Sequence, residues 1–120
     1  MTQKTLTKTD LRQFTGTERW YRHWCARKVL YTDGVQYVAE HGGAYWLVDE
    51  IAFAQRNPKI AAEGFQVWKL EVKADHTAKL TCSDGNYRVV HEKELTFTDF
   101  SLDEISFYFT DNVILLPSEY

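Results

Sequence analysis

Two groups of residues in this chain carry side chains whose chemistry could be put to use. Asp49 and Glu50 stand side by side in its most apolar helical stretch, between Trp46 and Phe53. A carboxylate among apolar groups loses hydration and becomes harder to ionise, and with a nearby His it could serve as the acid or base of a small hydrolase or isomerase. The plainer use is preferred: Asp49 facing Arg56 and Tyr45 on the helix's polar edge, and Glu50 paired with a basic residue on another element or chain. The second group, Arg19, Trp20, Arg22, Trp24, Arg27 and Lys28, interleaves cations with aromatics. Single-stranded nucleic acid is held this way, bases stacking on rings while phosphates meet guanidinium groups. A strand would also explain the alternation, with Trp20, Arg22 and Trp24 facing one way; both tryptophans are then expected to be buried on a helix while Arg22 reaches out to water.

Little else points to catalysis. The sequence has no Gly-rich phosphate loop, nucleophile elbow or HExxH, and His23, His41, His76 and His91 fall in four different elements. His23 and Cys25, two apart on an extended segment, would point the same way, but two ligands do not make a metal site. The expectation is a surface His23 beside a half-buried thiol. No catalytic residue, metal or cofactor is assigned. Thr32-Asp33-Gly34 could present helix amides to an anion, yet Asp33 already brings negative charge, so capping is the expected role. The polar groups around Thr98, Asp99 and Phe100, and Ser118, Glu119 and Tyr120, are explained by turns and a docked tail.

The elements that must position these residues follow from periodicity. Thr9 should cap a short helix carrying Leu11 and Phe14, ended by Gly16. Residues 18 to 31 read as extended chain. A helix starts at Thr32 or Asp33, buries Val35, Val38 and Ala39, and stops at Gly42 and Gly43; a longer one runs from about Ala44 to Arg56. Leu47, Val48, Ile51 and Ala54 form one apolar face of that helix, and Trp46, Glu50 and Phe53 a second. A helix apolar on two sides is either central or shared with a partner chain. From Phe65 the period becomes two, giving strands over 65 to 73 and 78 to 83, an Asp84-Gly85 turn and a third strand over 87 to 91 that Lys93 to Thr98 would extend or follow. Asp111-Asn112 turns a last hairpin that places Phe107, Phe109, Ile114 and Leu116 on one face. Helices first and strands afterwards is α+β: two to three helices in the first half on one face of an antiparallel sheet from the second.

At 120 residues, 44% hydrophobic and 15% aromatic, the chain should form one domain, residues 1 to 120, with a core of ordinary size. Cys25 and Cys82 lack the spacing of a zinc ribbon or a disulfide scaffold. The amino terminus has no apolar signal region, and no run of about 18 apolar residues occurs, so a cytoplasmic protein without membrane contact is expected. The net charge of −3 conceals a polarity: residues 1 to 28 hold seven basic and two acidic residues, the remainder seven and fifteen. Such polarity can steer a charged partner or dock two copies head to tail.

The stretch YTDGVQYVAEHGGAYWLVDEIAFAQ (Tyr31 to Gln55), the FQVWKL strand, the SDGN turn, the TFTDFSL segment and the closing LLPSEY resemble a bacterial family of short proteins. That family is a domain of unknown function, often found in genomes rich in plasmids and mobile elements. The resemblance spans Val29 to Tyr120 and brings no activity or ligand with it. The function expected from the residues themselves is a non-enzymatic interaction domain that self-associates, forming a homo-oligomer, or binds a protein through Trp46, Glu50 and Phe53. The alternatives are a mobile-element accessory protein touching single-stranded nucleic acid through the basic segment, and a hydrolase or isomerase using Asp49 or Glu50.

Overall fold

Alternation of buried and half-buried side chains dictates how the second half folds. The computed structural model describes residues 6–86 and 88–120, apart from the side chains of Thr9 and Asp10. The element order is a one-turn helix Lys8–Leu11 (α1), strands Trp20–Arg22 (β1) and Leu30–Thr32 (β2), and helices Asp33–Gly42 (α2), Tyr45–Ala54 (α3) and Pro58–Ala61 (α4). Strands Phe65–Val72 (β3), Ala78–Ser83 (β4), Val89–Leu95 (β5), Glu104–Thr110 (β6) and Val113–Leu115 (β7) follow, then a closing 3-10 turn, Pro117–Glu119. All seven strands share one sheet, in the order β1-β2-β7-β6-β3-β4-β5. The α+β class holds. The sheet is mixed, because β2 runs parallel to β7 while all other neighbours are antiparallel.

Successive side chains of a strand point to opposite faces, so β3 divides cleanly. Trp68 and Leu70 are buried toward the helices beside Phe107, Phe109, Leu80 and Cys82, and burial pushes the Cys82 thiol up to about 12. Lys69 on the other face meets Glu71 and Glu104, and Lys79 meets Glu92 at 2.9 Å. β3 is flanked on both sides, by β4 and by β6, since the last hairpin folds back across the sheet. That hairpin turns on Asp111 and Asn112, both at positive φ (52° and 63°), the conformation that a two-residue turn between twisted strands requires. The expected Asp84-Gly85 turn is longer than two residues: Asp84 Oδ1 accepts the Asn86 and Arg88 amides and β5 begins only at Val89, leaving Tyr87 outside the described residues. The first helix begins at Lys8, one residue before the expected Thr9 cap, and ends at Leu11, short of Phe14 and Gly16.

One buried polar residue joins the layers. Gln66 takes the inward parity of Trp68 and Leu70 and is fully buried. Its amide exchanges two hydrogen bonds of 2.9 Å with Gln55 beyond α3, donates to the Ile60 carbonyl of α4, and accepts from the Trp68 indole. Every buried polar atom among the described side chains has a partner.

The chain's end closes on the start of α2. Thr32 caps that helix, its hydroxyl accepting the Val35 amide at 3.2 Å, as expected. The same hydroxyl donates to Glu119 at 2.6 Å, and Glu119 also accepts the Leu116 amide at 3.0 Å and the Gly34 amide at 3.3 Å. The helix start therefore does hold an anion, supplied by the chain itself. Gly34 leaves the room: a Cβ there would stand 2.6 Å from the Glu119 carboxylate and 2.8 Å from Leu116.

Burial raises the Glu119 pKa above its ordinary 4.5, outweighing the hydrogen bonds from Thr32 and the Leu116 amide. An acid raised on folding is held more firmly when protonated, so its contribution is complete below about 4.5 and declines as pH rises through the folded value. The melting temperature of Glu119→Gln minus that of wild type should therefore widen from acid to neutral pH. Asp75, Asp84 and Asp103, whose pKa values are lowered, pull the other way but are common to both proteins. A pH-independent difference would contradict the assignment.

Candidate functional site

The aromatic and basic segment forms a hairpin whose loop lies against α3. β1 ends at Arg22, so Trp20 and Arg22 share a strand face but Trp24 leaves it. The two tryptophans expected to be buried are exposed instead, Trp20 at 54% and Trp24 at 74%. The strand is too short to carry Trp24, and the loop turns it toward α3.

A buried histidine sets that turn. His23, expected at the surface, is 2% exposed, whereas Cys25, expected to be half-buried, is exposed. His23 Nδ1 accepts the backbone amides of Cys25 (3.2 Å) and Ala26 (2.9 Å), which places its proton on Nε2, facing Asp49 Oδ1 at 2.7 Å. The Trp24 indole donates to the same oxygen at 3.0 Å. Asp49 thus binds the hairpin rather than Arg56 and Tyr45 as expected. The loop is closed further by the His23 amide on the Val29 carbonyl and by Arg22 donating to the Arg27 carbonyl at 2.7 Å.

Cys25, His23 and Asp49 are the residue types of a thiol-based triad, but the ring nitrogen that would take the thiol's proton is engaged by two amides. The thiol instead meets the Arg56 guanidinium at 3.7 Å. His41 stacks on Tyr37 and His91 lies against Trp68, so neither is the His that Asp49 meets. Among the described residues no group of three or more His, Cys, Asp or Glu is placed to hold a metal, and no helix is long and apolar enough to cross a membrane.

The second face of α3 is partly covered by its own chain. Glu50 pairs with Lys93 of β5 at 2.5 Å, the partner on another element that was expected. Trp46 is half-buried beside Leu95 and Phe97. Phe53 receives His23 edge-on at 5.3 Å, Trp24 at 6.1 Å and the Arg56 guanidinium at 4.7 Å. Two flanking aromatics stay open: Trp24 at the hairpin end and Phe97, 69% exposed, at the β5 end. Phe97 was not singled out from sequence, although an aromatic between threonines just past a strand is a readable sign of exposure.

The cations divide sharply. Lys69, Lys79, Arg88 and Lys93 each meet a carboxylate. Arg19, Arg22, Arg27 and Lys28 are exposed, and none makes an ion pair among the described residues. Beside them the hairpin loop, the end of α3 and the β6–β7 turn enclose a groove of about 400 Å³.

No curated protein and no solved structure matches the chain. The model of the family of unknown function DUF6876 matches residues 5–120, taking in the basic hairpin as well as the helices and strands, and the chain belongs to that family.

Proposed function

We propose that the protein is a non-enzymatic interaction domain that self-associates, meeting a second copy through the aromatic surface across α3. The observation that carries this reading is the pair Trp24 and Phe97, 74% and 69% exposed at the two ends of the row Trp46, Glu50 and Phe53. Interfaces concentrate tryptophan and phenylalanine at their centres, and large exposed apolar patches usually mark binding surfaces. Trp46 and Phe53 are seven positions apart, about 10 Å along a helix, so the four rings offer a strip long enough for a central contact. The hydrolase or isomerase reading, which would use Asp49 or Glu50, is less favoured because Asp49 is engaged by His23 and Trp24 and Glu50 by Lys93. In this account the protein works in the cytoplasm of a bacterial cell.

Trp24→Ser combined with Phe97→Ser should weaken self-association by at least about 30-fold, the effect of losing about 2 kcal/mol at a single hot-spot aromatic. Sedimentation velocity reads the shift, with circular dichroism confirming the fold. An unchanged sedimentation coefficient in the folded variant would overturn the assignment of the surface.

A further inference from the structure

We infer that the groove beneath the hairpin loop is a binding site for a nucleotide phosphate, carried either by a free nucleotide or by single-stranded nucleic acid. Its floor is apolar, formed by the buried Val29, Ala52 and Phe109, and its rim carries Arg27, Lys28 and Arg56, with Asn112 beside them. Among the described residues no carboxylate lines it, although Asp111 adjoins Asn112 in the turn. Arg56 is held in place by stacking on Phe53 at 4.7 Å, and its guanidinium meets the Cys25 sulfur at 3.7 Å but no carboxylate among the described residues. Three cations around one concavity repel each other unless an anion joins them, and guanidinium forks match phosphate oxygens.

A second observation makes the anion a nucleotide rather than a bare phosphate. In the single chain Trp24 stands exposed beside this rim, linked to Arg56 through Phe53 and with its indole N–H fixed on Asp49, so that the ring is a stacking platform for which a base and the second copy of the proposed self-associating surface compete. Of the acidic remainder, Glu92 and Glu94 on β5 lie three strands from Phe109 of β6 in the groove floor, roughly 14 Å at about 4.8 Å per strand, beyond the screening length of about 8 Å.

The test is fluorescence anisotropy of a labelled oligothymidylate with the full chain, alongside tryptophan quenching and competition by thymidine monophosphate or inorganic phosphate. Oligothymidylate is expected to bind at low salt, with a log affinity against log salt slope of roughly −2 for three phosphates neutralised. Trp24→Ala should weaken it about tenfold, the lower part of the range for one stacked base. Competition by the monophosphate identifies the free nucleotide as sufficient; its absence identifies the strand; both support the site. The assignment is overturned if oligothymidylate does not bind, if inorganic phosphate competes as well as the nucleotide, or if Arg27→Glu/Lys28→Glu/Arg56→Glu binds as wild type does. The milder Arg27→Gln/Lys28→Gln should flatten the slope by about 1.4 units while leaving sedimentation unchanged, so that this site and the self-associating surface can fail separately.

Discussion

Gln66→Leu is expected to lower the unfolding free energy by about 3 kcal/mol, because it strands one buried and one half-buried polar group at about 1 to 3 kcal/mol each. The groups are the Trp68 indole N–H and the Gln55 side-chain amide, both of which bond to the Gln66 amide. For a chain of this size such a loss is about 12 °C in melting temperature. Leu nearly fills the volume, so the loss reports orphaned hydrogen bonds rather than a cavity. Adding Gln55→Leu and Trp68→Phe removes the stranded groups and should restore part of the stability, since deleting both partners of a buried hydrogen bond costs far less than deleting one. A single-variant loss under about 1 kcal/mol, measured by urea denaturation, would contradict the role assigned to Gln66.

His23→Ala should cost about 3 kcal/mol, leaving the Cys25 and Ala26 amides and one oxygen of Asp49 without the ring that joins them. The damage should be local. Hydrogen exchange is expected to speed at the amides of Cys25, Ala26 and Val29 while those of β3 and β4 keep their protection. His23→Asn separates the two tasks of the ring: its carbonyl can still accept amides two and three residues on, as Asn does in turns, but it cannot span to Asp49. About half the loss should therefore return with Asn. Uniform loss of protection across the sheet in His23→Ala would show that the hairpin is not a separate unit pinned by this residue.

The parts of the fold legible in the sequence are those whose signals are local. The Thr32 cap, the Gly43 stop at φ 62°, the alternation from Phe65 to Val72 and the Asp111-Asn112 turn each follow from a few adjacent residues. β1 and β2 were legible only as extended chain over 18 to 31, not as two paired strands, because they are three residues each and are stabilised by the parallel contact of β2 with β7, a partner more than eighty residues away. The site was half legible. Its cations and tryptophans stood out by composition, but their exposure depended on His23 finding Asp49, 26 positions distant, and no periodicity encodes that pairing. Gln66 could have been read, because its parity with Trp68 and Leu70 places an amide where the strand is otherwise apolar. The closing LLPSEY and the early TDG are distant in sequence, and only the fold joins Glu119 to Thr32 and Gly34.

The central claim, that the surface across α3 joins two copies, rests on what the wild-type protein does alone in solution. Sedimentation equilibrium over a concentration series measures this directly. The account predicts a mass that climbs above the 14.1 kDa of one chain as concentration rises and falls back to it in Trp24→Ser/Phe97→Ser. A wild-type mass of 14.1 kDa at every concentration would contradict it.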